Sequence, residues 1–188
     1  MRIIGGRLKG LRLGPPANLP VRPTTDQSKE ALFNILNNRL DFDGLHVLDL
    51  FSGTGNISLE FASRGAEAVT AVDVSYGCVQ YLRSMAQKHG LEAVSVFKAD
   101  VFKYLQQQTG QLNYDLVFAD APFGNSRLPL IPGMVFEKKL VRPGGLLIME
   151  HPSTIRLDHY QEFLEQRKYG YSSFSFFGTL EQPLTTDH

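Results

Sequence analysis

The chain has 188 residues, a size that suits one domain, and its 19 basic and 19 acidic residues give a formal net charge of zero. Hydrophobic residues make up 43% and charged residues 20%, which excludes a disordered or collagen-like chain. The single cysteine excludes an internal disulfide and disfavours a cysteine-based zinc site. The sequence shows neither a signal-peptide pattern nor eighteen consecutive apolar residues, so a cytoplasmic monomer is the default expectation.

The zero net charge hides an uneven distribution of charges along the chain. Residues 1–40 carry seven basic and two acidic side chains and contribute +5, which leaves −5 for the rest. A basic end of this kind suits contact with a polyanion such as nucleic acid. The alternative is a basic surface that is simply solvated.

The first 24 residues are expected to form a unit distinct from the main domain, residues 25–188. They predict two short strands around a Gly-Gly pair, followed by an extended linker that contains prolines. A hairpin of this size is not stable alone, so it must pack on the main domain or on a partner. Thr25 or Asp26 is a suitable N-cap for a helix that runs to about Asn38.

Beyond this helix, strand and helix patterns alternate, which predicts a doubly wound α/β sheet. The strand candidates are His46–Phe51, Ala68–Val72, Val94–Lys98, Tyr114–Ala119 and Leu146–Glu150. The helix candidates between them are Asn56–Arg64, Tyr76–His89, Val101–Gln108 and a segment that ends near Leu140. Several strands are nearly continuous apolar runs, as a parallel sheet covered on both faces requires. At the end of the chain we expect a helix over Arg156–Arg167 and a strand or hairpin over Tyr169–Phe177.

A glycine turn follows the first apolar strand, with the pattern D-x-x-x-G-x-G from Asp49 to Gly55. The dinucleotide fingerprint fails because Ser58 stands at its third glycine, and no P-loop Gly-Lys-Ser/Thr follows. A carboxylate at this place would repel a pyrophosphate and attract an ammonium group. S-adenosylmethionine carries an ammonium and a sulfonium but no phosphate. The pattern resembles the first motif of Rossmann-like methyltransferases.

Two further aspartates stand at the ends of the next two strand candidates. Asp73 is suited to accept hydrogen bonds from both ribose hydroxyls, and Asp100 is placed to meet an adenine amino group. Each aspartate alone could instead only cap the following helix. The residues that we expect to bind S-adenosylmethionine are Asp49, Phe51, Gly53, Gly55, Asp73, Val74, Asp100, Val101 and Asp120.

The fourth strand leads into Asp120-Ala121-Pro122-Phe123, which resembles the D-P-P-Y/F signature of methyltransferases that act on exocyclic amino groups of bases. The lone pair of such a nitrogen is delocalised into the ring. Groups that accept hydrogen bonds from its N–H groups favour a tetrahedral nitrogen and stabilise the positive charge that develops on it during methyl transfer. Here these acceptors are the Asp120 carboxylate and the carbonyl of residue 121. Phe123 offers a stacking face. Ala121 and Phe123 depart from the signature, and a helix-capping or loop role for Asp120 is the alternative.

These motifs extend over nearly the whole chain. A family resemblance rests on three segments: R-I-I-G-G-R-L-K-G at the start, R-P-T-T-D at 22–26, and L-D-L-F-S-G-T-G. The chain resembles the bacterial methyltransferases that modify one guanine of 16S ribosomal RNA at N2, the type that acts on guanine 966. The resemblance implies a seven-stranded Rossmann-like domain and an N-terminal hairpin that helps to hold RNA. It implies RNA-contacting roles for Arg2, Arg7, Lys9, Arg12, Arg22, Thr24 and Thr25. Asp73 stands where the family usually carries Glu.

Two other functions remain open from the sequence. The same chemistry could serve another acceptor, adenine in DNA or an amide in a protein. Alternatively, Ala121 could mark a donor-binding RNA module that no longer catalyses. No metal is expected, because the sulfonium is already electrophilic and the histidines lack metal-ligand spacing. His151, near the end of the fifth strand, is expected to be structural.

Overall fold

The computed structural model describes residues 1–21, 24–111 and 113–179, which build one sheet with helices on both faces. The strands are β1 His46–Leu50, β2 Ala68–Asp73, β3 Val94–Lys98, β4 Tyr114–Asp120, β5 Val141–Pro152, β6 Phe163–Tyr169 and β7 Ser172–Phe177. The helices are α1 Asp26–Asn37, α2 Asn56–Ser63, α3 Tyr76–Lys88, α4 Val101–Gln107 and α5 Ile131–Glu137. A 3₁₀ turn, Leu128–Leu130, precedes α5. None of the described helices is both long and apolar enough to cross a bilayer.

The strand order is β3-β2-β1-β4-β5-β7-β6. The first five strands in this order are mutually parallel, whereas β7 is antiparallel to both β5 and β6. This confirms the predicted doubly wound, mostly parallel, seven-stranded sheet. The order reverses between β1 and β4, and in sheets of this kind the ligand crevice lies at the carboxyl ends of the strands beside that switch point.

Each face of the sheet has its own group of helices, because successive strand residues point to opposite faces. On one face, α1 and α2 pack against Val47, Leu116 and Ile148, and α3 covers β2 and β3 beside them. On the other face, α4 and α5 pack against side chains such as Val117 and Leu147. The sheet is therefore buried on both sides, as its apolar strands predict.

The predicted helix Arg156–Arg167 is wrong. Residues 153–162 form turns and irregular backbone, and Phe163–Tyr169 is the edge strand β6. This strand pairs with β7, and a turn at Gly170 connects the two. Arg156 and Asp158 form an ion pair at 2.7 Å, a contact between residues two apart that a helix would place on different sides. Pairing with β7 decides the conformation here, not local propensity. Of the two forms expected for Tyr169–Phe177, the structure shows a single strand, β7, and its hairpin partner β6 lies mostly in the segment that was expected to be helical.

The N-terminal hairpin has less sheet than expected. One isolated bridge joins Arg2 and Arg12, with hydrogen bonds from Ile3 N to Leu11 O and from Leu13 N to Met1 O. The buried side chains of Ile3 and Leu13 belong to the apolar cluster that α3 forms with β2 and β3. The hairpin is therefore packed on the main domain, as its small size requires.

A buried ion pair connects this hairpin to α1 and α2. The Lys29 ammonium lies 2.7 Å from Glu60 Oε2, and both side chains are fully buried. Lys29 also donates to Arg2 O and Asn56 Oδ1, whereas Glu60 accepts from the backbone N–H groups of Ile4 and Gly5. Burial lowers the pKa of Lys29, although the Glu60 carboxylate opposes this effect. Every charge in the pair is thus compensated by groups from three different segments.

Loss of one partner of this pair should strongly destabilise the fold. In Lys29→Met the Glu60 carboxylate would stay buried and keep only one of its two cations, Arg64 at 2.9 Å, and we expect the free energy of unfolding to fall by about 3 kcal/mol. Urea denaturation measures the change, with the exposed Lys88→Met in α3 as a control that should change by less than about 0.5 kcal/mol. A loss below about 1 kcal/mol for Lys29→Met would contradict the role given to the pair.

Candidate active site

Four carboxylates lie on one face of the sheet at the carboxyl ends of its central strands. In the parallel register, Asp49 pairs with Ala71 and Phe118, so Asp73 and Asp120 lie two residues further along their strands. Glu150 is level with Asp120 on β5. Strand alternation directs all four to the face that α1, α2 and α3 cover. The structure thus brings together three of the predicted site residues and adds Glu150, which sequence reasoning missed.

The glycine turn is fixed by backbone contacts to its neighbours. Gly53 N donates to Asp73 Oδ2 at 2.8 Å, so the second aspartate holds the turn itself. Gly55 has φ 87°, and a Cβ there would lie 2.2 Å from a methyl carbon of Leu82 in α3. Phe51 adopts φ 60°, a conformation that is uncommon for a non-glycine residue and is concentrated at functional sites. The fold itself therefore favours glycine at position 55, because of its left-handed backbone and the close approach of Leu82.

Asp49 lies beneath this turn, with only 1% of its surface exposed. Ser58 Oγ of α2 donates to its Oδ2 at 2.5 Å. Burial raises the pKa of Asp49 to about 7, with a smaller contribution from the nearby Asp73 charge, and the Ser58 hydrogen bond opposes the rise. Near neutral pH Asp49 is therefore only partly ionised, and a cationic group at the turn would favour its ionised form.

The ends of β2 and β3 present the other predicted donor-binding residues. Asp73 Oδ1 accepts from Ser75 N at 2.8 Å, and the next side chain, Val74, is 65% exposed. Asp100 caps α4 by accepting from Lys103 N at 3.0 Å. Capping therefore accounts for part of the role of Asp100, as the simpler interpretation held. Val101 is 2% exposed and packs in the core.

The segment after β4 combines a buried and an exposed part. The Ala121 side chain is buried in the core on the α4–α5 face, whereas Pro122 and Phe123 are exposed, the latter by 38%. Asn125 N donates to Pro122 O at 3.1 Å, and Gly124 between them has φ 88°. An exposed aromatic side chain thus stands three residues after Asp120, beside a hydrogen-bonded turn.

The residues present fit a cationic ligand that carries hydroxyl groups. The carboxylates of Asp49 and Asp73 are acceptors on either side of the turn, and Val74 offers an exposed apolar surface beside them. The Ser52 hydroxyl is buried in the turn and has no hydrogen-bond partner among the described residues, so a bound polar group would satisfy it. These residues suit S-adenosylmethionine better than a phosphate-bearing nucleotide. The described residues contain no cluster of three or more His, Cys, Asp or Glu arranged to hold a metal ion.

The linker lies over the glycine turn. The family resemblance implies that the segment around Arg22–Asp26 lies near the donor, but the contacts of Leu19 and Val21 were not anticipated. A Cβ on Gly53 would lie 3.2 Å from Val21, and one on Gly77 would lie 2.6 Å from Leu19. The sequence does contain an indication of this packing: Leu19 and Val21 are two apolar side chains, two residues apart, in a segment rich in proline. Among the predicted RNA-contacting residues of this region, Thr25 caps α1 by accepting from Ser28 N, and Thr24 is half-buried beside it. Arg22 lies outside the described residues.

The predicted basic contacts of the hairpin divide into two groups. Arg2 pairs with Glu30 at 2.8 Å, and Arg7 donates to the carbonyls that follow α3, His89 O and Gly90 O. Lys9 and Arg12 are exposed, and within the part of the chain that the structure describes neither forms a salt bridge. The second pair is therefore better placed for contact with phosphates.

Comparisons with known proteins decide the family. The model of the family described as "Conserved hypothetical protein 95" matches residues 1–178. The chain belongs to this family. Among its relatives, the "Putative rRNA methyltransferase YlbH" of Bacillus subtilis is 31% identical over 84% of this chain and 85% of its own length. The "Ribosomal RNA small subunit methyltransferase D" of Haemophilus influenzae is 30% identical over 80% of this chain and 78% of its own.

A solved structure agrees with this membership. The "Putative methyltransferase yhhF" of Escherichia coli superposes with a TM-score of 0.83 and 25% identity, covering 97% of this chain and 99% of the other. The Rossmann-like methyltransferase fold and the resemblance to bacterial ribosomal RNA methyltransferases are thereby confirmed.

The raised pKa of Asp49 predicts a pH-dependent stability. The folded state keeps Asp49 protonated up to about pH 7, whereas the ordinary value is 3.8, so ionisation destabilises the wild type as the pH rises between these values. We expect Asp49→Asn to be more stable than the wild type at pH 8, by about 2–4 kcal/mol, and equally stable near pH 4.

Chemical denaturation at the two pH values measures the difference. Glu92→Gln, which changes an exposed carboxyl, should alter stability by less than about 0.5 kcal/mol at either pH. An Asp49→Asn variant that is less stable than the wild type at pH 8 would contradict the buried, raised-pKa carboxyl.

Proposed function

We propose that this chain transfers a methyl group from S-adenosylmethionine to the N2 amino group of a guanine in 16S ribosomal RNA, guanine 966 in the type that it resembles. One observation carries the proposal. Asp120 ends β4 level with Asp73 of the donor side, and an exposed Phe123 follows it at the same edge of the sheet. A donor site and an acceptor for an amino group thus share one crevice. The names of the relatives supply the substrate class.

The donor half of the crevice holds the cofactor by its cationic and hydroxyl groups. Asp73 accepts the ribose hydroxyls, Val74 covers the adenine ring, and Asp100 accepts the adenine amino group. An ammonium group bound at the turn would oppose the rise in the pKa of Asp49, and the ionised carboxylate would then attract it. Bound S-adenosylmethionine supplies an electrophilic methyl group, so the protein needs no metal for the transfer.

The acceptor half prepares the nitrogen. The Asp120 carboxylate and the carbonyl of Ala121 accept the two N–H groups of the guanine amino group, which localises the nitrogen lone pair. The nitrogen would gain the methyl group as the bond from that group to the sulfonium sulfur breaks, which leaves S-adenosylhomocysteine, and would then pass one proton to solvent. The Asp120 carboxylate stabilises the positive charge that develops between these events. Phe123 stacks on the base, which must be unpaired or flipped out to reach it.

Burial of the Ala121 side chain bears on the alternative of a non-catalytic module. The substitution of proline by alanine leaves the carbonyl in place, and the methyl side chain is packed in the core. The acceptor is therefore preserved, which favours an active enzyme. The acceptor alternatives, adenine in DNA or a protein amide, are separated from the RNA by the assay below.

Asp120 should be essential for transfer and contribute only a small part of donor binding, because other residues hold the donor as well. We expect Asp120→Ala to reduce methyl transfer to 16S RNA by at least about 100-fold, because one preorganised charge-stabilising contact is commonly worth that factor. The measurement is transfer of radiolabelled methyl groups to 16S RNA that lacks the modification, with duplex DNA and a protein amide substrate in parallel. Binding of S-adenosylhomocysteine should stay within about threefold of the wild type.

The matched control is Asp115→Asn at the amino end of the same strand, where the side chain pairs with Arg142. It should retain activity. Wild-type labelling of DNA or protein in place of RNA would contradict the proposed acceptor, and full activity in Asp120→Ala would contradict the role of the carboxylate.

The hairpin should contribute phosphate contacts. In the double variant Lys9→Gln/Arg12→Gln we expect weaker binding to 16S RNA, with the slope of log K against log salt reduced in magnitude by about 1–2. Binding titrations at several salt concentrations measure this slope. Lys138→Gln/Lys139→Gln at the C-terminal end of α5, on the other face of the sheet, is the control, and an equal effect in both double variants would contradict a specific role for the hairpin.

A further inference from the structure

The loop between β4 and α5, residues 121–127, carries the proposed base-binding side chains and ends on an arginine. Arg127 N donates to Asn125 Oδ1 at 3.0 Å, and Leu128 N donates to Asn125 O at 3.1 Å. With the Gly124 turn, these bonds fix the backbone of the loop locally. They do not attach it to the rest of the crevice, so the placement of the whole loop depends on its side chains.

The Arg127 side chain is one such attachment, in addition to the buried Ala121 at the start of the loop. Its guanidinium carbon lies 4.0 Å from the centre of the Phe102 ring in α4, and one guanidinium nitrogen lies 3.7 Å from Asp100 Oδ2. A guanidinium above an aromatic face gains cation–π attraction and remains charged at every pH of interest. Half of the Arg127 side chain is exposed, so these contacts hold it at the surface of the crevice.

Phe102 extends the connection to the donor turn. It is 2% exposed, and its ring meets the Phe51 ring edge to face with centroids 5.9 Å apart. Phe51 is the residue with a left-handed backbone directly after β1. A continuous series of contacts, from Phe51 to Phe102 to Arg127, therefore connects the glycine turn to the end of the loop that carries Phe123.

Asp100 lies at the other side of the same guanidinium. Its Oδ1 accepts from Lys103 N, and Arg127 faces its Oδ2. A carboxylate can accept about four hydrogen bonds. At 3.7 Å the arginine attracts Oδ2 without a direct hydrogen bond, so Asp100 keeps acceptor capacity for an adenine amino group while it stays paired with Arg127.

We propose that Arg127 is a positioning residue that couples binding of the methyl donor to binding of the target base. The inference rests on the proposed function, because Asp100 and Phe51 act as donor contacts in it. A bound donor fixes Asp100 and Phe51, these hold Arg127, and Arg127 holds the loop with Phe123 in place for the base. The coupling is reciprocal, so bound RNA strengthens donor binding by the same factor.

The test is a thermodynamic cycle with S-adenosylhomocysteine and with 16S RNA that lacks the modification. The RNA dissociation constant is measured with and without saturating S-adenosylhomocysteine, and the ratio is the coupling factor. In the wild type we expect a factor of about 5 or more, within the usual range for coupled sites. In Arg127→Ala it should fall to about 1, while RNA affinity in the absence of donor changes by less than about threefold.

Two further variants separate positioning from a merely structural role. Arg127→Lys keeps the charge but loses the planar stack, and it should give an intermediate coupling factor. Arg142→Ala removes a comparable Arg–Asp pair with Asp115 at the opposite edge of the sheet and should leave the factor at the wild-type value. Circular dichroism establishes whether each variant is folded. If Arg127→Ala does not fold, the coupling factor of Arg127→Lys decides whether Arg127 couples the two sites.

The inference is overturned by an unchanged coupling factor in Arg127→Ala or by a wild-type factor of 1. It is also overturned by an equal loss of RNA affinity with and without donor, which would make Arg127 a direct phosphate contact. A wild-type protein that transfers no methyl group to 16S RNA would contradict the proposed function. An active wild type with an unchanged factor in Arg127→Ala would contradict the coupling alone.

Discussion

The ion pair between Lys29 and Glu60 is the constraint on which the arrangement of this molecule depends. Two fully buried charges are costly unless each finds its counter-charge and further hydrogen bonds. Here those bonds come from the backbone of the hairpin and from Asn56, the first residue of α2. The requirement to compensate both charges therefore fixes the hairpin, α1 and the helix that follows the glycine turn as one rigid assembly.

This assembly places a basic surface and an acidic crevice in a fixed relation. The hairpin that carries Lys9 and Arg12 cannot change its orientation without breaking contacts to the buried pair. The linker that follows lies over Gly53 and Gly77, so the same segment forms part of the wall around the donor turn. An RNA held by the hairpin would therefore meet the carboxylate edge of the sheet in one orientation, a preorganisation that lowers the entropic cost of bringing base and donor together.

Much of this arrangement could be predicted from the sequence, because the informative signals are local. Apolar runs and the glycine turn predict the parallel sheet, and aspartates at strand ends predict the crevice. The helix expected over Arg156–Arg167 failed because β6 exists only through its pairing with β7, a long-range interaction that local spacing does not encode. Lys29 and Glu60 carry no local signal either, since a charged residue on a helix is ordinarily solvated. Arg127 acquires its contacts only from the packing of α4 beside the loop.

The most direct test of the central claim is to map N2-methylguanosine in small-subunit RNA from cells with and without the gene for this chain. Mass spectrometry of RNA fragments locates the modified residue and its occupancy. The proposed function predicts one guanine in 16S RNA that is methylated at N2 in the first strain, is unmethylated in the second, and regains the methyl group when the wild-type gene is restored. An identical methylation pattern in the two strains would contradict it.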